Sequence, residues 1–291
     1  MPLVINVVLK YWGEDVSGRG VDGVGETDGA IIYGIERAES FGFISYIYKS
    51  SVNDLKKRID QGIPPIVVMP GIQGTVQHAM VVSGYNTEER RILTYVPEPD
   101  TVGAIPESRF DHEWEQDDMT AIVIIPSDMN HLLEKENLKF AKSNRLCFEA
   151  EALRQHGRIN EAIERLRRAT EMDSDNAQAW SVLGGLYNEI NSNDAVTCYE
   201  MAIKLNPNYY LAYRGLGNYH LKRKDYSLAD EYYSKAISIN PSRFGPIYKN
   251  RAIARMQIGN NQAAKQDLMT YLEQMPAADD RRSIEEALHQ F

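Results

Sequence analysis

The second half of this 291-residue chain repeats one residue pattern with a period of about 34 residues, and this period restricts the fold more than any other feature of the sequence. The clearest copy combines small residues where two helices would meet, aromatic residues that would fill gaps between turns, and a proline that would stop the second helix: Tyr213, Leu216, Gly217, Ala229, Tyr233, Ala236 and Pro241. Neighbouring copies begin at Trp180 and Tyr248, and a weaker copy near Leu146 has Ser174 where proline is expected. The pattern therefore predicts about four helix-turn-helix repeats stacked side by side.

These offsets resemble those of the tetratricopeptide repeat (TPR). An ordinary helical bundle is the alternative, but it does not account for fixed offsets that recur in register. We therefore predict an all-α TPR solenoid over residues 143–278, followed by an amphipathic capping helix over 279–291. The resemblance implies a scaffold that binds a protein or peptide in a concave groove lined by the first helices of successive repeats.

The groove positions implied by this resemblance include four polar residues, Arg214, Asn218, Lys249 and Asn250. Arg214 and Asn218 are one helical turn apart, and Asn250 belongs to the next repeat. The set partly resembles the carboxylate clamp of some TPR proteins, in which a cation meets the C-terminal carboxylate of a partner and amides hold its backbone. The cations expected from a third repeat could come only from Arg281 or Arg282, which do not align well. A solvated polar groove without a specific carboxylate is the alternative.

The first half of the chain predicts an α+β domain over residues 1–126, with helices packed beside an antiparallel sheet. Its opening segment, from Pro2 to Gly13, is apolar on nearly every face, which is typical of a core helix packed on all sides. The remaining predicted elements are a loop at 18–29, helices at 30–40 and 52–59, strands at 43–48, 63–69 and 121–125, a loop at 70–75, and a hairpin of 78–85 with 91–96.

The order of these elements, and several short segments, resemble the papain-like fold of bacteriocin-processing (double-glycine) cysteine peptidases. The resemblance rests on the opening helix, on the segment from Pro64 to Val68, and on His78 at the head of a strand that ends in Gly84-Tyr85. In such enzymes a cysteine at the start of the first helix is held as a thiolate by the helix dipole and a histidine, and a third polar group orients the imidazole. The resemblance implies that His78 is the catalytic histidine.

This sequence departs from the family pattern at the other catalytic positions. The pattern would place the cysteine immediately before Met1, and an oxyanion-hole glutamine a few residues earlier. The third position holds Val96, which cannot accept the imidazole N–H, although Glu98 or Asp100 could substitute from the adjoining loop. We therefore expect a catalytically incomplete domain, a pseudo-peptidase in which His78 is vestigial or partial. The alternative is an active cysteine peptidase whose native start lies upstream of Met1 and restores the nucleophile.

The sequence as a whole predicts a multidomain protein, with the papain-like domain joined to the TPR solenoid by a helical linker over residues 127–142. The front part is acidic, because residues 1–126 hold 10 Lys/Arg against 19 Asp/Glu, and the net charge of the chain is −9. We expect no nucleic-acid partner, since that surface normally needs clustered Lys/Arg. The opening apolar segment is too short for a membrane span.

The two cysteines, Cys147 and Cys198, fall in predicted helices, so neither a disulfide framework nor a cysteine-based zinc site is expected. A metal site at His78 and His112 is a further reading, but it lacks a cluster at ligand spacing. We therefore predict no cofactor and no metal. A cytoplasmic location is expected, unless a signal peptide precedes this sequence.

Overall fold

The computed structural model describes residues 3–14, 30–70, 77–97 and 100–289. The chain divides into two compact units, one of Met1–Met69 and Ala79–Ala179 and the other of Pro70–His78 and Trp180–Phe291. The predicted loop at 18–29, the first residue (Pro2) of the predicted opening helix and most of the predicted loop at 70–75 lie outside the described residues.

Six strands in the described part of the front region form one sheet, in the order β1-β6-β2-β3-β4-β5. They are β1 (Phe43–Lys49), β2 (Ile66–Pro70), β3 (Gln77–Asn86), β4 (Arg91–Pro97), β5 (Asp100–Pro106) and β6 (Thr120–Pro126). The pairs β1/β6, β2/β6, β3/β4 and β4/β5 are antiparallel, which confirms the predicted hairpin. The sequence analysis missed β5, because this edge strand leaves Val102 80% exposed and lacks a clear apolar alternation.

Strand β6 is buried on both faces of the sheet, and its alternate residues lie in different core clusters. Ile122 and Ile124 pack in one cluster with the opening helix, whereas Val123 and Ile125 pack in another with Trp114. This division follows from the two-residue period of a strand. It explains why β6 is a continuous apolar segment rather than an alternating one.

Four helices accompany these strands: α1 (Leu3–Tyr11), α2 (Ala30–Ser40), α3 (Val52–Asp60) and α4 (Glu107–Glu115). Ser51 caps α3, because its side chain accepts a hydrogen bond from the Asp54 backbone N–H. The sequence analysis did not predict α4, which buries Phe110 and Trp114.

Helix α1 packs its apolar face into the core, and the Trp12 indole that follows it donates to the Ile124 carbonyl at 2.9 Å. The buried residues of α1 are Val4, Ile5, Val8 and Leu9. Leu3 and Tyr11 are 45% and 58% exposed, so the expectation that this helix packs on all sides is wrong. Helix α1 thus has more apolar residues than the core buries.

The repeat region forms successive helical hairpins. After a 3-10 helix at Ser127–Leu132, the helices are α5 (Ala141–Gln155), α6 (Ile159–Met172), α7 (Ala177–Glu189), α8 (Asp194–Leu205), α9 (Tyr210–Arg223), α10 (Tyr226–Ile239), α11 (Pro246–Gln257), α12 (Asn261–Gln274) and α13 (Arg281–Leu288). Each of the four predicted copies corresponds to two helices, and α13 lies at the predicted cap.

Glycine in the first helix of a repeat allows the aromatic residue of the second helix to approach. A Cβ atom added to Gly217 would lie 2.5 Å from the Tyr233 ring, and one added to Gly184 would lie 3.0 Å from the Tyr199 ring. The first distance is shorter than a carbon–carbon contact allows. The glycine of the repeat pattern is therefore required by packing between the two helices.

Candidate functional site

Arg214, on α9, is a half-buried cation for which the described part of the chain supplies no counter-charge. Its guanidinium carbon lies 5.1 Å from the centroid of the Phe244 ring. Among the residues that the structure describes, Arg214 makes no hydrogen bond or ion pair, and its Nε atom is buried without a partner. Burial lowers the pKa of Arg214, and the nearby charge of Arg243 lowers it further. Because an arginine stays protonated at neutral pH, the site has an unmatched positive charge.

A second guanidinium, that of Arg243, adds positive charge to the same region. Arg243 is 1% exposed, and its guanidinium carbon lies 4.4 Å from the centroid of the Tyr210 ring. Tyr210 is fully buried, and no described residue forms a hydrogen bond with its hydroxyl. Burial raises the pKa of Tyr210 to about 12, so its hydroxyl stays protonated and available as a donor.

The sequence analysis did not identify Arg243, although the sequence holds a signal for it. Tyr248 follows Pro241 by seven residues, whereas Tyr213, which holds the same position in the preceding repeat, follows Pro207 by six. In the structure, the segment between α10 and α11 comprises residues 240–245, which is two residues longer than the segment 206–209 between α8 and α9, and it contains Arg243 and Phe244. Extra residues in one repeat map to a loop on one face of a repeat array.

The amides of Asn218 and Asn250 both lie near one tyrosine. The Tyr233 hydroxyl donates to Oδ1 of Asn218 at 2.8 Å. Tyr233 is fully buried, and burial raises its pKa, whereas the Asn250 side chain lowers it. The Asn218 amide thus uses part of its hydrogen-bonding capacity within the repeat region.

Lys249, on α11, is matched by a carboxylate of the chain itself. Its Nζ atom lies 2.6 Å from Oδ2 of Asp280, and the Tyr271 hydroxyl donates to Oδ1 of the same carboxylate at 2.6 Å. The hydrogen bond from Lys249 is the main cause of the lowered pKa of Asp280, and the Tyr271 hydroxyl lowers it further. Arg282 is 92% exposed and pairs with Glu286, one turn along α13.

In the front region, His78 lies near the start of β3 and is half-buried. Its Nε2 atom is buried and has no partner among the residues that the structure describes, and burial lowers the pKa of the imidazole, which is therefore neutral at pH 7. Val96, at the third catalytic position implied by the peptidase resemblance, is half-buried and faces Thr101 across the β4/β5 pair. Asp100 accepts a hydrogen bond from the Tyr95 hydroxyl at 2.8 Å, and Glu98 lies outside the described residues.

Both cysteines are buried in helices of the repeat region. Burial raises the pKa of the Cys147 thiol to about 12, so the thiolate is scarce at neutral pH. Within the described ranges, no three His, Cys, Asp or Glu residues are grouped so that they could hold a metal ion. None of the helices that could be assessed has the length and apolar character needed to cross a bilayer.

Comparison with known proteins identifies TPR sequence in two segments. A TPR repeat model matches residues 150–190, and a tetratricopeptide repeat model matches residues 216–289. The cell division cycle protein 27 homolog of Caenorhabditis elegans is 35% identical over 97 residues, which are 33% of this chain and 12% of that protein. Tetratricopeptide repeat protein 6 of Homo sapiens is 38% identical over 63 residues, or 22% of this chain and 12% of that protein. The matches thus span 12% of the length of either relative.

Solved structures of MamA proteins are also similar to this chain. One is 28% identical, with a TM-score of 0.42, over 46% of this chain and 73% of that chain. Another, MamA 41-end from Desulfovibrio magneticus RS-1, is 17% identical, with a TM-score of 0.45, over 51% of this chain and 92% of that chain. The two family-model matches, together with the helical hairpins at the same residues, confirm that this chain carries tetratricopeptide repeats, a scaffold for protein interaction.

Proposed function

We propose that the repeat region binds a peptide segment of a partner protein and pairs a carboxylate of that segment with Arg214. The observation that carries this proposal is the half-buried guanidinium of Arg214, which has no counter-charge among the described residues. An uncompensated cation lowers stability, so its presence in a binding scaffold favours a role in recognition.

A carboxylate is the ligand that suits this position best. Arginine presents several N–H donors in a planar fork, and a carboxylate accepts two of them at once. The charge of Arg243 adds attraction for an anion, and the Phe244 ring beneath Arg214 offers an apolar surface to the adjoining residue of the ligand. We expect the bound segment to present one carboxylate beside an apolar side chain.

Substitution of Arg214 with methionine tests this proposal, because methionine keeps an apolar stem and removes the charge. The probe is a labelled peptide library with free C-terminal carboxylates, compared by fluorescence anisotropy with the same library after C-terminal amidation. Peptides that bind the natural chain through a carboxylate should bind Arg214→Met about tenfold to a hundredfold more weakly.

The matched control is Arg282→Met, which removes an arginine that is 92% exposed and should leave binding unchanged. The proposal fails if carboxylate peptides bind Arg214→Met as tightly as they bind the natural chain. It also fails if amidation and loss of Arg214 weaken binding independently of each other, since the two groups would then not interact.

We further propose that residues 1–126 form a papain-like, cysteine-peptidase-like domain whose catalytic set is incomplete at Val96. The observation that favours this second proposal is His78, whose Nε2 atom is buried with no partner among the described residues and whose pKa is lowered by burial. A neutral imidazole with a free ring nitrogen is the form that accepts a proton from a nucleophile. The opening helix packs beside the sheet, as the resemblance implies.

The codons upstream of Met1 decide between the incomplete domain and an active cysteine peptidase. If they encode Cys directly before Met1 and Gln a few residues earlier, the extended protein should react with a thiol-directed activity probe. Labelling should then fall in His78→Ala and vanish when the restored cysteine is replaced by serine. Labelling that does not depend on His78 would contradict the enzyme alternative.

A further inference from the structure

We propose that Lys249 and Tyr271 form a second carboxylate subsite, that Asp280 of the chain itself fills this subsite, and that an acidic side chain of the bound peptide displaces Asp280. This inference rests on the proposed function, because it adds a second contact to a peptide that Arg214 already holds. The partner that it describes is a peptide with two carboxylates, one for each subsite.

The geometry around Asp280 is that of an occupied carboxylate site. Lys249 Nζ and the Tyr271 hydroxyl bond to different oxygen atoms of the carboxylate, each at 2.6 Å. Lys249 also lies over the Tyr271 ring, with its Nζ atom 5.1 Å from the centroid. An ammonium and a phenol thus converge on both oxygens of one carboxylate, and charge-assisted bonds of this kind are strong.

The Asp280 side chain is free enough to be exchanged. Asp280 and Lys249 are 35% and 31% exposed, so water and a ligand can reach the pair. By contrast, Asp267 is 3% exposed in its ion pairs with Arg251 and Arg255, and a ligand could not replace it. A partly exposed ion pair stabilises a fold only slightly, so little free energy opposes the exchange.

Rotation of the Asp280 side chain would leave helix α13 in place. Asp280 precedes this helix, but its side chain makes no capping hydrogen bond there. The helix is held instead by Ile284 and Leu288, which pack against a buried cluster that includes Leu268. Arg281 also donates to the Leu272 carbonyl at 3.2 Å. Loss of the Asp280 contact therefore need not unfold the cap.

The surroundings of Lys249 suit a bound peptide. Ile253 and Met256 lie four and seven residues further along α11, on the same face as Lys249, and are 42% and 41% exposed. Arg214 contacts Phe244, which lies just before α11 begins. The two cationic positions thus adjoin the same helix, with exposed apolar side chains beyond the second one.

An internal competitor lowers the apparent affinity by a factor equal to the fraction of time that it leaves the site empty. Since an exposed ion pair contributes up to about 1 kcal/mol, and 1.4 kcal/mol corresponds to tenfold in an equilibrium constant, removal of Asp280 should strengthen binding of a two-carboxylate peptide about twofold to sixfold. The same change should not affect a peptide that has only the carboxylate for Arg214.

The experiment uses the full chain and a set of labelled octapeptides of alanine and leucine with a free C-terminal carboxylate. One aspartate is placed at each internal position in turn, and a matching set has asparagine instead. Asp280→Asn should bind some aspartate peptides about twofold to sixfold more tightly than the natural chain does, and should bind the asparagine peptides equally well. Asp279→Asn, which alters the neighbouring exposed aspartate, is the control and should change nothing.

The gain must depend on Lys249 and must be lost in the double variant Asp280→Asn/Lys249→Met. Equal affinities for Asp280→Asn and the natural chain, or a gain that survives Lys249→Met, would overturn the inference. Circular dichroism melting checks that α13 stays folded. A readout without mutation is the carbon-13 shift of the Asp280 carboxylate, which should move when an aspartate peptide is added and stay fixed with the asparagine peptide.

The outcomes separate this inference from the proposed function. If carboxylate peptides bind through Arg214 but Asp280→Asn has no effect, the second subsite fails alone. If no peptide in the set binds any form of the chain, or if binding ignores Arg214→Met, both proposals fail.

Discussion

Two groups of arginines in the repeat region differ in whether a carboxylate faces them. Arg251 and Arg255 both pair with Asp267, at 2.6 and 3.0 Å, and Arg255 also pairs with Asp230 at 2.7 Å. Arg214 has no such partner among the described residues. Arg251 and Arg255 join α10, α11 and α12 through these ion pairs, whereas Arg214 is the arginine for which we propose a carboxylate from a ligand. Whether an arginine is paired thus depends on the carboxylates that the fold brings to it.

The largest loss of stability should come from removing the carboxylate that Arg251 and Arg255 share. Asp267→Ala leaves Arg251 and Arg255 without their shared carboxylate, in a place where Asp267 is 3% exposed. We expect the free energy of unfolding in urea to fall by about 3–5 kcal/mol, since a buried charge loses its partner. Glu286→Ala, which breaks the exposed pair with Arg282, should change it by less than about 0.5 kcal/mol. Equal effects of the two changes would remove the distinction between buried and exposed pairs.

Acid should weaken the ion pair between Arg58 and Glu136 in the front region, with a smaller loss of stability than Asp267→Ala causes. Arg58 is fully buried and pairs with Asp54 at 2.7 Å and Glu136 at 2.5 Å. The hydrogen bond from Arg58 is the main cause of the fall in the pKa of Glu136 from 4.5 to about 2. A lowered carboxyl pKa adds stability above pH 4.5 that is lost as the pH falls towards 2.

The expected loss from Glu136 is about 1 kcal/mol after solvent screening, measured by urea unfolding at pH 6 and at pH 3. Glu136→Gln is the control, because it cannot titrate and should show a smaller difference between the two pH values. If both proteins lose the same amount, the Arg58–Glu136 pair does not contribute to acid sensitivity.

Substitution of Arg214 should have the smallest effect on stability, and unlike the changes above it should not destabilise the fold. Arg214→Met removes a half-buried charge that no described carboxylate matches, so we expect the free energy of unfolding to stay constant or to rise by up to about 1 kcal/mol. Carboxylate binding should be lost in the same variant. A loss of more than about 1 kcal/mol would mean that Arg214 is a structural residue, like Arg251.

The sequence predicted much of this fold wherever a short local pattern was sufficient. The repeat offsets located the helical hairpins, since residues three or four positions apart share a helix face. In the front region, apolar strands such as β6 were also identified. Edge strand β5 was missed because one of its faces is open to solvent and Val102 lies there, 80% exposed. The pairing of β5 with β4 depends on backbone hydrogen bonds, which the side-chain pattern does not reveal.

The candidate site was predicted only in its composition. Arg214, Asn218, Lys249 and Asn250 were expected to act together, but the sequence could not indicate the internal partner of each. Lys249 meets Asp280, which is 31 residues away, and both asparagines lie near Tyr233. These pairings are set by the packing of helices that are distant in sequence.

The sequence by itself determined the kind of protein, because a repeat of about 34 residues can bury its apolar faces only by stacking helical pairs. The tertiary structure decided which of the described arginines are paired within the fold, such as Arg251, and which are not, such as Arg214. The physical reason is the separation along the chain over which each interaction acts. Helical periodicity involves residues that are close in sequence, whereas the pairing of a charge with its counter-charge depends on distances between side chains that only the folded chain brings together.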